Sequence, residues 1–231
     1  VRQQLLDVHP SPRYTYGSWH RHAGAEEASN RLALWMVHGG RIWLRSDEPA
    51  GKTHLLHALQ AEHPELGLVP VLASRQGHAM QLVSDWLGVL QDRAKWMLDI
   101  EAGAMPGAHC LALFHLIERA REGNRPLLIA WRCPDVATFA PAELSSRLKA
   151  FEALDIHAPQ SDEDLRAVLL SIADARQWPL GEEIVDLALL RFPRRLGALL
   201  VALQELESAS LAAGRRLTPA WARCYWKRKM E

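Results

Sequence analysis

RIWLRSDEPAGKTHLLHALQ, residues 41–60, is the stretch on which the reading of this chain turns. Residues 41–45 form a short apolar strand with arginines at its ends. Leu55, Leu56 and Leu59 recur at helical spacing, which predicts a helix over 52–62 that Pro64 stops. The turn between them ends in Gly51-Lys52-Thr53, the closing half of a phosphate-binding loop. Backbone N–H groups at such a turn and at the helix start face phosphates, Lys52 reaches the outer ones, and the Thr53 hydroxyl suits Mg2+. Gly51 permits close backbone approach. Ser46 stands at the first glycine position, and Pro49 removes one loop N–H. Asp47 and Glu48 add negative charge. An ordinary strand–turn–helix is the alternative reading, and the flanking elements favour the nucleotide one.

Outward from this stretch, strand and helix alternate five times. Upstream, Leu32, Leu34, Trp35 and Met36 suggest a helix over 25–38 that ends before Gly39-Gly40. Downstream, strands are expected at 69–72, 96–99, 126–131 and 153–157, with helices at 77–89, 108–121 and 141–149 between them. Strands one, three and four read apolar throughout, as strands buried on both faces do. The expected fold is therefore α/β, a parallel sheet with flanking helices. After Pro159 the strand signal ends. Ser161 caps a helix whose first turn holds Asp162, Glu163 and Asp164. Further helices are expected at 181–191, 194–213 and 218–229. The boundary between a 1–158 α/β domain and a 159–231 helical lid is placed at 158–160. Residues 1–24 are read as a partly extended entry segment.

Charged residues make up 23% of the chain and formal charges sum to zero, so no global field draws it to nucleic acid. Cys110, Cys133 and Cys224 lack metal-ligand spacing and argue for a reducing compartment. No apolar run is long enough to span a membrane, and no signal core follows the start, so a cytoplasmic protein is expected. His54, His57, His109 and His115 form no matched zinc set.

Several groups carry candidate chemistry. Asp99 closes the third strand, where carboxyl ends of neighbouring strands share a crevice, and can hold Mg2+. Glu101 is the candidate to activate water. Arg147 follows Leu144-Ser145-Ser146, and an arginine there can stabilise a transferring phosphoryl group. Arg194 and Arg195 open the long lid helix, where positive charge opposes the helix dipole and invites an anion. The C-terminal stretch is basic and carries Trp221, Tyr225 and Trp226. Such a mixture contacts nucleic acid or anchors a solvated helix end, and the structural alternative is favoured.

These motifs together resemble the bacterial replication initiator (DnaA) family of AAA+ ATPases, and more closely its short regulatory members, over nearly the whole chain. The carriers are Tyr14-Thr15-Tyr16 with Trp19, Ala50 to Leu56, Trp96 to Glu101, and Leu128 to Pro134. Leu144 to Leu148, Pro159 to Glu163, and Arg194-Arg195-Leu196 complete them. The resemblance implies ADP or ATP held by Ser46, Ala50, Gly51, Lys52, Thr53 and His54, with Arg194 reading the nucleotide from the lid. It implies Mg2+ on Thr53 and Asp99, and Arg147 acting on a neighbour's nucleotide. It implies two partners: the initiator DnaA, and the DNA polymerase sliding clamp, engaged through Gln4-Leu5. A homodimer is also in view, and sequence-specific DNA binding is not expected, because the chain ends before a C-terminal DNA-binding domain. Ser46, Pro49 and Arg132 depart from the family pattern and weaken the home site for hydrolysis. The expected protein is a nucleotide-binding regulator of initiation that stimulates hydrolysis of initiator-bound ATP. The alternatives are an autonomous ATPase in DNA loading or remodelling, with Glu101 as base, and a nucleotide-free adaptor that recruits a replication partner.

Overall fold

The computed structural model describes residues 19–133 and 141–230. The chain packs as two units, one of residues 23–158 and one that joins 159–231 to the segment before Ala23. In the first unit the order is α1 (Ala23–His38), β1 (Arg41–Arg45), α2 (Lys52–Glu62), β2 (Leu66–Val71), α3 (Ala79–Leu90), β3 (Lys95–Ile100), α4 (Gly107–Glu122), β4 (Leu127–Trp131), α5 (Ala142–Lys149) and β5 (Glu152–Asp155). The five strands form one sheet in the order β2-β3-β4-β1-β5, and every pairing is parallel. The expected α/β fold is thus observed.

Period-two alternation sorts the strand residues between two helical layers. Trp96, Leu98 and Ile100 of β3 and Leu127, Ile129 and Trp131 of β4 join a core with Leu82, Trp86, Leu113, Leu116, Leu144 and Leu148 from α3, α4 and α5. Met97 and Asp99 therefore point to the opposite face, where α2 packs on β2 and β3. Both faces are covered, which is why these strands read as continuous apolar runs.

Strand β2 begins three residues earlier than the sequence suggests. Gly67 weakens the strand pattern, but it allows close packing: a Cβ there would lie 2.7 Å from Leu90 Cδ2. Pro70 is tolerated because β2 is a sheet edge. Strand β3 also continues one residue past Asp99, pairing Ile100 with Trp131.

The second unit contains α6 (Asp162–Ala175), α7 (Glu182–Arg191), α8 (Leu196–Ala212) and α9 (Pro219–Met230). Leu165, Leu169, Val185, Ala188, Leu199, Leu203 and Trp226 form its core. Ser161 Oγ accepts the Asp164 N–H at 3.0 Å, a side-chain cap that starts α6. His20 Nε2 meets Asp164 Oδ1 at 3.3 Å, tying the segment before α1 to this unit. Helix α8 starts at Leu196, with Arg195 as an extended N-cap, so Arg194 lies just before the helix.

Candidate functional site

The sheet order places β1 between β4 and β5, so the turn after β1 opens where the chain reverses direction across the sheet. Ligands of open parallel sheets bind in such crevices. The turn ends at Gly51, which adopts the left-handed conformation (φ 80°, ψ 16°) and caps α2 without a side chain. Glycine adopts this conformation at low cost. The first amides of a helix have no intrahelical acceptor, and such a terminus suits an anion.

Lys52 extends from the first residue of α2 and is buried to 9% exposure. Its ammonium donates to the hydroxyl of Ser46, itself buried at the end of β1. The Lys52 pKa is pulled down to about 8, chiefly by burial and also by nearby Arg132, with Asp99 opposing both. Thr53, one residue on, donates its hydroxyl to the Asp99 carboxylate. Burial raises the Asp99 pKa, while the Thr53 bond and the charges of His57 and Lys52 pull it down. His57 stands one turn beyond Thr53 on the same helix. Burial lowers its pKa and Asp99 pulls it up. Ala50 and His54 are buried on either side of this group.

Beside the loop, Ser46, Asp47, Ala102, Gly103, Arg132 and Cys133 line a cleft of about 460 Å3. Its walls come from the carboxyl ends of β1, β3 and β4. Gly103 donates its N–H to the Arg132 carbonyl at 3.0 Å, and its own carbonyl accepts the Trp131 indole N–H at 3.1 Å. These bonds fix the two loops that flank Arg132.

The structure thus gathers Ser46, Lys52, Thr53 and Asp99. Ala50, Gly51 and His54 adjoin them in the same segment, while Glu101 and Arg147 have other partners. Glu101 lies past the end of β3 and accepts the Ala73 amide at 2.9 Å, while its own N–H donates to Val71. Arg147 on α5 donates from Nε to Glu118 Oε1 of α4 at 2.5 Å, and its guanidinium lies 6.0 Å from the Phe114 ring centre. Glu118 also accepts from Arg121 at 2.8 Å. Burial works against the Glu118 charge, but the two arginine bonds prevail and lower its pKa. Arg194 belongs to the helical unit, where Nη1 sits 3.3 Å from Asp162 Oδ2 and the side chain is 62% exposed. Gln4, Leu5, Tyr14, Thr15, Tyr16 and Pro134 lie outside the described residues.

Sequence reasoning missed three neighbours. His57 follows Thr53 by four residues, so helical spacing alone would have put it on the same face. The Glu118 and Phe114 contacts to Arg147 join two helices and have no local signature.

The donors fit a Mg2+-nucleotide. Mg2+ takes one or two protein oxygens and completes its shell with phosphate and water, and Thr53 and Asp99 already share a hydrogen bond. Lys52 supplies a buried cation for phosphate. Among the described residues no helix is long and apolar enough to cross a membrane.

Residues 162–223 match the family described as Hda, lid domain. The structure is similar to the crystal structure of domain III of the Thermotoga maritima replication initiation protein DnaA, at 14% identity and TM-score 0.62, covering 93% of this chain and 96% of that one. It is similar to AMPPCP-bound DnaA from Aquifex aeolicus at 14% identity and TM-score 0.57, covering 87% of this chain and 67% of that one. It is also similar to the Thermotoga maritima RuvB Holliday junction branch migration motor at 12% identity and TM-score 0.57, covering 92% and 70%. At such identities the likeness is one of fold.

Proposed function

We propose that this chain, which carries an Hda lid domain at 162–223 and an α/β unit of the AAA+ fold, is a regulator of replication initiation. The lid match is the observation that carries the proposal, because the likenesses to solved structures, at 12–14% identity, speak to the fold alone. The protein works in the cytoplasm on the initiator DnaA, binds ADP or ATP at its own loop, and stimulates hydrolysis of the ATP that the initiator holds.

The residues divide into two roles. Lys52, Thr53, Asp99 and the α2 amides hold the resident nucleotide, with Ser46, Ala50 and His54 shaping the loop. Arg194 contributes from the lid. Thr53 and Asp99 would hold Mg2+, which would supply positive charge against the phosphates. Arg147 serves the partner's nucleotide. Its side chain is 42% exposed on α5 and is held by Glu118, so an accessible cation is kept in a defined direction. An arginine supplied in trans stabilises charge as a phosphoryl group transfers. Gln4-Leu5 engages the sliding clamp, and a homodimer is a further assembly.

Glu101 is engaged with the Ala73 amide, which favours a regulator over an autonomous ATPase. One observation supports the adaptor as a second reading: the Lys52 ammonium has an internal partner in Ser46. Calorimetry with ADP and ATP plus Mg2+ separates the two, since an adaptor binds neither.

The test of the leading proposal uses initiator preloaded with ATP, together with the DNA-loaded clamp. Adding this chain should accelerate ADP formation on the initiator. An unchanged rate over a full titration would overturn the proposal.

A further inference from the structure

We propose that the cleft between the end of α8 and α9 binds single-stranded nucleic acid, with Trp221 and Tyr225 as the stacking platform and Arg215, Arg228 and Lys229 as phosphate contacts. This surface lies wholly within the helical unit.

Helix α9 is seated by Ala222 and Trp226, both buried, with Phe192 edge-on to Trp226 at 5.1 Å. Trp221 and Tyr225 sit one turn apart on its flank. Their rings stack with centroids 5.3 Å apart and planes 11° from parallel. Both are half-buried, so the core fixes their orientation and leaves part of each exposed. They border a cleft of about 530 Å3 whose other wall includes Ala209 and Ala213. Those small side chains leave the room a larger residue would fill.

Arg215, Arg228 and Lys229 line this cleft, with Glu205 of α8 at its edge. From Ala213 to Met230 the sequence carries Arg215, Arg216, Arg223, Lys227, Arg228 and Lys229 and no acidic residue, in a chain whose formal charge is zero. The helix dipole accounts for the three cations in the last turn of α9. Arg215 likewise follows the C-cap Ala213 of α8, where a cation is favourable. It is fixed there: its N–H donates to the Ser210 carbonyl at 3.0 Å, and its carbonyl accepts the Ser210 hydroxyl at 2.5 Å. Lys229 pairs with Glu205 across the cleft edge and would exchange that carboxylate for a phosphate.

Partly exposed aromatic rings beside backbone-directed cations are the groups that hold unpaired bases without reading their edges. A duplex keeps its bases stacked inside and offers only phosphates. The chemistry is shared by single-stranded DNA and RNA.

Fluorescence anisotropy of a labelled oligo-dT of about twenty nucleotides, at about 50 mM salt, tests this on the full chain. An oligo-rU, a duplex of equal length and heparin serve as comparisons. Binding of either single strand, with quenching of tryptophan emission, is expected. Tyr225→Leu should weaken single-strand binding about fivefold or more and leave duplex binding unchanged. Arg215→Glu combined with Arg228→Glu changes exposed residues only and should weaken binding more than about tenfold, with an unchanged circular dichroism spectrum. The proposal is overturned if neither strand binds, if the double reversal leaves affinity unchanged, or if heparin competes as well as oligo-dT while Tyr225→Leu has no effect.

Discussion

Replacing Lys52 with methionine should stabilise the protein while abolishing nucleotide binding. Lys52 is a cation at 9% exposure, and its pKa falls from 10.5 to about 8 because burial disfavours the charge. That drop corresponds to about 3 kcal/mol at neutral pH. Losing the bond to Ser46 returns about 1 kcal/mol, so the net gain is about 2 kcal/mol. At roughly 2–4 °C per kcal/mol, the melting temperature should rise by about 4–8 °C at pH 7. The sign with pH follows from the lowered pKa. Below pH 8 the side chain is charged in both folded and unfolded states, and the full cost is present. Between pH 8 and 10.5 the folded state releases its proton first, so the wild type gains stability as pH rises. Above that window the cost is gone. Scanning calorimetry of both proteins at pH 7 and about pH 10, with and without ADP and Mg2+, reads all of this. The stability gap should close toward high pH, and ADP should raise the melting temperature of the wild type alone. A variant that melts lower than wild type at pH 7, or a gap independent of pH, would refute the idea that Lys52 is held at a cost that an anion relieves.

Asp99→Asn should remove the Mg2+ dependence of ADP binding, weakening it about tenfold with Mg2+ and little without, as titration calorimetry would read. Unaltered Mg2+ dependence would remove Asp99 from the metal site. Because burial already disfavours the Asp99 carboxylate, the same variant should not lower the melting temperature. Ser161→Ala deletes the cap of α6 and should cost about 1 kcal/mol in urea unfolding followed by circular dichroism, and no measurable loss would mean another group satisfies the Asp164 N–H.

What the sequence could and could not carry follows from the range of the interactions involved. β1 and α2 begin and end where hydrophobic spacing and Pro64 put them, because both are set by local periodicity. The parallel sheet was legible from five alternations of apolar run and helical stripe. The local pattern makes β2 too short because the use of Gly67 depends on Leu90 and Arg93, which approach it only after folding. Strand register was also out of reach, and it decides that Asp99 faces α2 rather than the Trp86 core. At the site, Lys52 and Thr53 are neighbours in a recognisable loop, so their types and spacing suggested their chemistry. The Ser46 bond that occupies Lys52, the Ala73 amide on Glu101 and the Glu118 carboxylate on Arg147 are each made by segments distant in sequence or by loop geometry. No propensity encodes them. The C-terminal basic and aromatic residues read as a helix end in sequence, and only the folded placement of α9 beside the end of α8 makes them one wall of a cleft.

The trans-acting role of Arg147 is tested most directly by single-turnover hydrolysis of labelled ATP bound to the initiator. Wild-type chain and Arg147→Ala are compared with the loaded clamp present and the fold verified by circular dichroism. Removing a trans-acting arginine should slow the stimulated step by about a thousandfold, to the initiator's own rate. Stimulation by Arg147→Ala equal to that of the wild type would contradict the role given to this residue.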